Sequence, residues 1–142
     1  MQRNASAHWS GGLKDGKGTI TSASGILKDT PYSFSTRFES QPGTNPEELI
    51  AAAHAACFSM ALSAGLEKAG KPASRIQTDA GCTLEMVNGT PTITKMELRV
   101  RGKVPGLDQA GFQKAADEAK IGCPVSRALK GIPQITLTAK LE

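Results

Sequence analysis

Asn45-Pro46-Glu47-Glu48-Leu49-Ile50-Ala51-Ala52-Ala53-His54-Ala55-Ala56-Cys57-Phe58-Ser59-Met60-Ala61-Leu62-Ser63-Ala64-Gly65-Leu66-Glu67-Lys68 is the stretch that decides the fold. Asn45 suits an N-cap, Pro46 suits the first helical position, and acids follow in the first turn. The helix is expected to run to about Lys68 and close at Gly70, with Pro72 beyond. It is apolar nearly all round from Leu49 through Leu66, and such a helix belongs in a core. Its length raises the question of a membrane span. The stretch is mostly alanine, carries His54, Ser59 and Ser63, and has no Trp or Tyr at its ends, so a buried helix without a membrane is expected. Its alanines let another helix approach closely. One small domain can hardly wrap such a helix, which points to a homodimer.

N-terminal to this helix, residues 4–38 read as three short strands separated by Gly11-Gly12, Asp15-Gly16 and Asp29-Thr30-Pro31. The third alternates, with Tyr32, Phe34, Thr36 and Phe38 on one face and Ser33, Ser35 and Arg37 on the other. C-terminal to it, residues 75–104 read as a hairpin turning at Asn88-Gly89. Ile76, Ala80, Cys82, Leu84 and Met86 share one face of its first strand; Met96, Leu98, Val100 and Val104 share one face of the second. A helix from about Asp108 to Gly122 follows, then a short one starting at Cys123-Pro124, then an inward-alternating strand from Gln134 to Lys140. The order βββ-α-ββ-αα-β predicts an α+β fold with antiparallel sheets in a single domain, residues 1–142.

The 142 residues suffice for a core without disulfides or metal. Seventeen Lys and Arg against 13 Asp and Glu leave a net charge of +4 with no long basic run, so nucleic acid is not an expected partner. There is no export signal pattern, and three widely spaced cysteines do not form a secreted disulfide framework. A reducing cytoplasm is the expected compartment.

Cys82 reads as a small core residue on a strand. Cys123 has two readings: a small residue that starts a helix, or a thiol whose ionised form is favoured by unpaired N–H groups and the helix dipole. Cys57 lies about three turns inside its helix, so it reads as a core residue unless a cation is brought to it from elsewhere. Residue-level reasoning therefore nominates Cys123 as the more reactive thiol. Arg37 reads as a solvated arginine, and Glu48 occupies the place of a capping-box glutamate. His54 and Cys57 share a helix face, but they form one close pair where zinc motifs supply two, so no metal or other cofactor is expected. There is no glycine-rich phosphate loop and no basic-aromatic interleaving.

The run Gly43-Thr44-Asn45-Pro46-Glu47-Glu48-Leu49-Ile50, continuing into Ala53-His54-Ala55-Ala56-Cys57-Phe58-Ser59-Met60-Ala61-Leu62, resembles the signature of the OsmC/Ohr family of organic hydroperoxide reductases. Gly122-Cys123-Pro124-Val125-Ser126 resembles its second motif. Ala7-His8-Trp9 and the Pro31-Tyr32 to Arg37-Phe38 segment are similar to the osmotically inducible branch in particular. The resemblance implies an intertwined homodimer with a site at each subunit interface. It implies that Cys57 attacks an organic hydroperoxide and that Cys123 resolves the resulting sulfenic acid as a disulfide. An external dithiol, lipoyl-type or other, would then reduce that disulfide. This reverses the residue-level ranking of the two thiols. The implied repair is Arg37, whose guanidinium would favour the Cys57 thiolate while Glu48 holds it in place. Glu48 cannot reach Cys57 along one helix, so the Arg37–Glu48 pair is expected to serve the partner subunit. Phe58 and Met60 are expected to cover the organic group. The rival readings are a thiol redox-sensing module and a non-catalytic ligand-binding dimer.

Overall fold

In a computed structural model describing residues 1–142, the chain falls into two units, residues 1–49 and 50–142. The first unit carries β1 (Ala5–Ser10), β2 (Lys17–Ser22) and β3 (Thr30–Ser33), an antiparallel sheet in that order. Gly18 in the middle strand lies opposite both Trp9 and Tyr32, whose rings meet 5.3 Å apart. A Cβ on Gly18 would sit 2.4 Å from the Tyr32 ring, so the aromatic closes over the space that glycine leaves.

The third strand is shorter than the alternating sequence suggests. It stops at Ser33, and Phe34–Phe38 forms a short helix, α1. A reciprocal capping box causes the switch. The Ser33 hydroxyl accepts from the Thr36 N–H at 3.3 Å, and the Thr36 hydroxyl accepts from the Ser33 N–H at 2.9 Å. Phe34 and Phe38, four apart, then stack at 5.0 Å on one helix face.

The long helix α2 spans Pro46–Lys68 without interruption. Asn45 caps it, its Oδ1 accepting from the Glu48 N–H at 2.8 Å. At the other end Gly70 takes φ +71°, and bonds from Gly70 N–H to the Glu67 carbonyl and from Lys71 N–H to the Leu66 carbonyl close a Schellman motif. By length and composition alone α2 could cross a bilayer. Its stripe of His54, Phe58, Leu62 and Leu66 is nonetheless buried against protein. Ala52, Ala53, Ala56, Met60 and Ala64 form an exposed face of small or apolar residues.

The second unit is built on a sheet ordered β4 (Arg75–Val87), β5 (Thr90–Lys103), β6 (Gln134–Leu141). The hairpin turns at Asn88 (φ +51°) and Gly89 (φ +78°), as a two-residue Asn-Gly turn requires. A bulge at Thr83/Leu84 leaves Thr94 as the extra residue of β5. The last strand departs from the antiparallel expectation, because β6 pairs with β5 in parallel. The connection between them holds α3 (Gln109–Gly122) and α4 (Pro124–Ala128), so the chain is carried back before it re-enters the sheet. Phe112, Ala116 and Ala119 of α3 pack with Leu98 and Val100 of β5 and with Phe58, Leu62 and Leu66 of α2 in one core. A Cβ on Gly102 would lie 2.4 Å from the Phe112 ring, so glycine there admits the ring against β5.

Candidate active site

Cys57 and Cys123 lie 66 residues apart in sequence, yet their sulfurs are 3.2 Å apart and share a hydrogen bond in the thiol state. Cys57 is presented by α2, about three turns from its start, with its side chain packed against the core and partly open to solvent. Cys123 is fully buried. It occupies a junction that both neighbouring helices define. Its N–H ends α3 on the Ala119 carbonyl at 2.8 Å, and its sulfur caps α4 by accepting from the Ser126 N–H at 3.5 Å. Pro124 provides the first position of α4.

The surroundings treat the two sulfurs differently. Burial pushes the Cys57 thiol up; the Val125 N–H opposes this, and Cys123 adds to it. Burial acts on Cys123 as well, but the Ser126 N–H, the Cys57 thiol, the Ser126 hydroxyl and the Val125 N–H together outweigh it and bring that thiol below its ordinary value. Within one chain, then, the thiolate is favoured on Cys123, as a sulfur at a helix N-terminus should be.

Two further side chains meet beside Cys123. His54, one turn before Cys57, is completely buried, and its Nε2 lies 2.7 Å from the hydroxyl of buried Ser126. Burial lowers the His54 pKa, which keeps the imidazole neutral. In the sequence His54 is a conceivable metal ligand and Ser126 a residue of the second motif, with nothing to join the two. The available signal was Ser126 at the third position after the Cys123 cap, where its N–H must face the capping atom. No group of three or more His, Cys, Asp or Glu side chains gathers in metal-binding geometry.

Arg37 belongs to α1 rather than to a strand, and its pairing also departs from expectation. Its Nε and Nη2 donate to the Glu47 carboxylate at 3.1 and 2.9 Å. Glu47 is nearly buried and Glu48 is exposed. The expected Arg37–Glu48 pair is thus replaced by Arg37–Glu47. The helical period explains the exchange: Glu47 lies seven residues, or two turns, before buried His54, whereas Glu48 points off that stripe. Arg37 also stacks on Phe38, 5.1 Å from the ring centre, and borders a cleft of about 250 Å³ lined by Trp9, Tyr32, Phe34 and Phe38. Of the two residues expected to cover an organic group, Phe58 is buried in the core and Met60 is exposed. Cys82 sits half-buried on β4 opposite Met96.

The family described as OsmC-like protein matches residues 38–138. The chain is 49% identical to peroxiredoxin OsmC of Escherichia coli (strain K12) over 142 residues, which covers 100% of this chain and 98% of that one. It is 39% identical to the organic hydroperoxide resistance protein of Xanthomonas axonopodis pv. citri over 98 residues, covering 68% and 66% of the two chains. Among solved structures, it superposes on the organic hydroperoxide resistance protein OhrB of Bacillus subtilis with a TM-score of 0.69 at 26% identity, covering 98% of each chain.

Proposed function

The chain belongs to the OsmC-like protein family, and on that premise we propose that it is a thiol peroxidase that reduces organic hydroperoxides to alcohols, with Cys57 and Cys123 as its working pair. The observation that carries this reading is the 3.2 Å separation of the two sulfurs, which lets a sulfenic acid on one be closed by the other with little movement. The Cys57 thiolate attacks the terminal oxygen of ROOH; the O–O bond breaks, the alkoxide leaves and takes a proton to become the alcohol, and Cys57 becomes a sulfenic acid. Cys123 displaces hydroxide from that sulfur to form the disulfide. A dithiol, lipoyl-type or other, returns both cysteines to thiols by exchange. A reducing cytoplasm is the setting this cycle suits.

Cys57 is the more accessible sulfur, but its surroundings within the chain disfavour its thiolate. The cation that reverses this is Arg37, held by Glu47. Ten residues of α2 separate Glu47 from Cys57, a rise of roughly 15 Å, farther than a glutamate extends. In this reading the pair serves Cys57 of a second copy, and the exposed small-residue face of α2 supports a homodimer. The aromatic cleft beside Arg37 suits the organic group of the substrate, where each CH₂ removed from water contributes about 0.8 kcal/mol. Hydrogen peroxide gains nothing there, so organic hydroperoxides should have the larger kcat/KM.

Stoichiometric cumene hydroperoxide should cost the intact protein two hydrogens in mass, with peptide mapping placing the bond between Cys57 and Cys123. Cys57→Ser should abolish dithiol-dependent peroxide consumption. Cys123→Ser should permit one attack and then accumulate sulfinic and sulfonic Cys57. A disulfide that includes Cys82 would overturn the assignment.

A further inference from the structure

His54 has no task in the cycle described so far, yet it is a fully buried imidazole bonded to Ser126, the residue whose N–H meets the Cys123 sulfur. Its Nε2 meets the Ser126 hydroxyl at 2.7 Å, and its Nδ1 has no hydrogen-bond partner. A buried N–H without an acceptor is rarer and more costly than a buried acceptor without a donor. The single proton of the neutral ring therefore belongs on Nε2, which donates to Ser126 Oγ. The Ser126 hydroxyl hydrogen is then free to point at Cys123 Sγ, the sulfur that already accepts the Ser126 N–H at 3.5 Å. The hydrogen bonds run in one direction, from imidazole to hydroxyl to sulfur.

We propose that His54 is a positioning residue that acts through Ser126 to make Cys123 the charged sulfur both when the disulfide closes and when it opens. The inference rests on the peroxidase reading above and divides the labour within it. Arg37 of a second copy favours the Cys57 thiolate for the attack on peroxide, and the His54–Ser126 chain favours the Cys123 thiolate for everything after it. In closure, the Cys123 thiolate attacks the Cys57 sulfenic sulfur, the S–S bond forms, the S–O bond breaks, and hydroxide leaves to take a proton from solvent. In opening, a thiolate of the reducing dithiol attacks Cys57 Sγ and the S–S bond breaks. Cys123 then departs as the stabilised thiolate, since the sulfur of lower pKa leaves faster. The second thiol of the reductant then closes on the first and releases Cys57, so the reductant loses two electrons and two protons as the enzyme disulfide gains them. Burial agrees with this direction, because Cys57 is partly exposed and Cys123 is not.

The titratable and charged groups around Ser126 and Cys123 are His54 and Cys57 on α2, Lys120 on α3, Arg127 on α4 and Lys130 just beyond it. Ser126 and the last three line one cleft. Two experiments follow. In a Cys57→Ser/Cys82→Ser background Cys123 is the only thiol, and its ultraviolet thiolate absorbance can be titrated with no peroxide present. Ser126→Ala and His54→Leu should each raise its midpoint by about one pH unit, or roughly tenfold less thiolate at a given pH below it. His54→Gln, whose amide nitrogen can replace Nε2–H as a donor, should stay near the parent. Lys120→Ala and Arg127→Ala should shift the midpoint less than Ser126→Ala. In the chain with all three cysteines, Ser126→Ala should lengthen the life of the sulfenic acid, read by dimedone trapping, at neutral pH but not at high pH. Folded Ser126→Ala and His54→Leu proteins that titrate like the parent would sink the proposal, as would a His54→Gln protein indistinguishable from His54→Leu. A parent that fails to consume hydroperoxide defeats the peroxidase reading instead, and the titration still decides what His54 does.

Discussion

His54 and Glu47 show how far single side chains depend on what is folded against them. The ordinary histidine pKa of 6.5 is lowered here by burial, so the unfolded chain binds the proton more tightly than the folded one. The sign follows from linkage: stability is fully present above pH 6.5 and is lost as the pH falls from there toward the lowered folded value. Urea denaturation should show the midpoint falling below that pH in the parent, and a flatter dependence over the same range in His54→Gln. Glu47 leads to a separate expectation at the same scale. Glu47→Ala should slow the reaction of Cys57 with hydroperoxide by roughly tenfold, the loss of thiolate that one pKa unit represents, while Glu48→Ala should leave it nearly unchanged. Equal effects from the two, in stopped-flow measurements, would mean that the Arg37–Glu47 contact is not the one that functions.

At the scale of elements, α2 was legible because its ends are local. Asn45-Pro46 and Gly70 declare themselves within one turn of the residues they cap, and the helix observed is the one expected, Pro46–Lys68. The segment from Tyr32 to Phe38 was misread because its aromatics alternate as a strand would. The Ser33–Thr36 capping box that ends the strand uses threonine where glutamate or glutamine is the recognisable signal. The direction of β6 was also hidden, since an alternating pattern reports which face is buried and not which way the chain runs. Packing between elements makes a sharp prediction at Gly102, where β5 meets α3. Gly102→Ala forces a methyl group into the Phe112 ring. It should cost about 1–3 kcal/mol of unfolding free energy in a denaturant titration, the usual penalty of overpacking. A neutral result would mean that α3 can slide away from β5 without loss.

For the molecule as a whole, a homodimer in which Arg37 of one chain serves Cys57 of the other makes a prediction about mixed dimers. Arg37→Ala and Cys57→Ser should each be inactive as homodimers. Mixed in equal amounts and allowed to exchange subunits, they should regain about a quarter of wild-type activity, because half the dimers are then mixed and each carries one competent site. Heterodimers that form and remain inactive would place Arg37 with Cys57 of its own chain. The same small-residue face of α2 that prompted the dimer expectation is exposed in the single chain, and sedimentation of the wild-type protein should report a mass of two chains.

By itself the sequence determined the bounds of α2, the Asn88-Gly89 hairpin, the two cysteine motifs and, through them, the family. These are properties of residues within a few positions of one another, where capping bonds, turn geometry and side-chain period act without reference to the rest of the chain. The tertiary structure alone decided that Arg37 pairs with Glu47 ten residues away, that His54 reaches Ser126 across 72, and that Cys57 meets Cys123 across 66. The last two contacts depend on where α2, α3 and α4 come to rest against a common core. Burying Phe58, Leu62 and Phe112 sets that position, whereas any apolar residue of similar size would have read the same in the sequence.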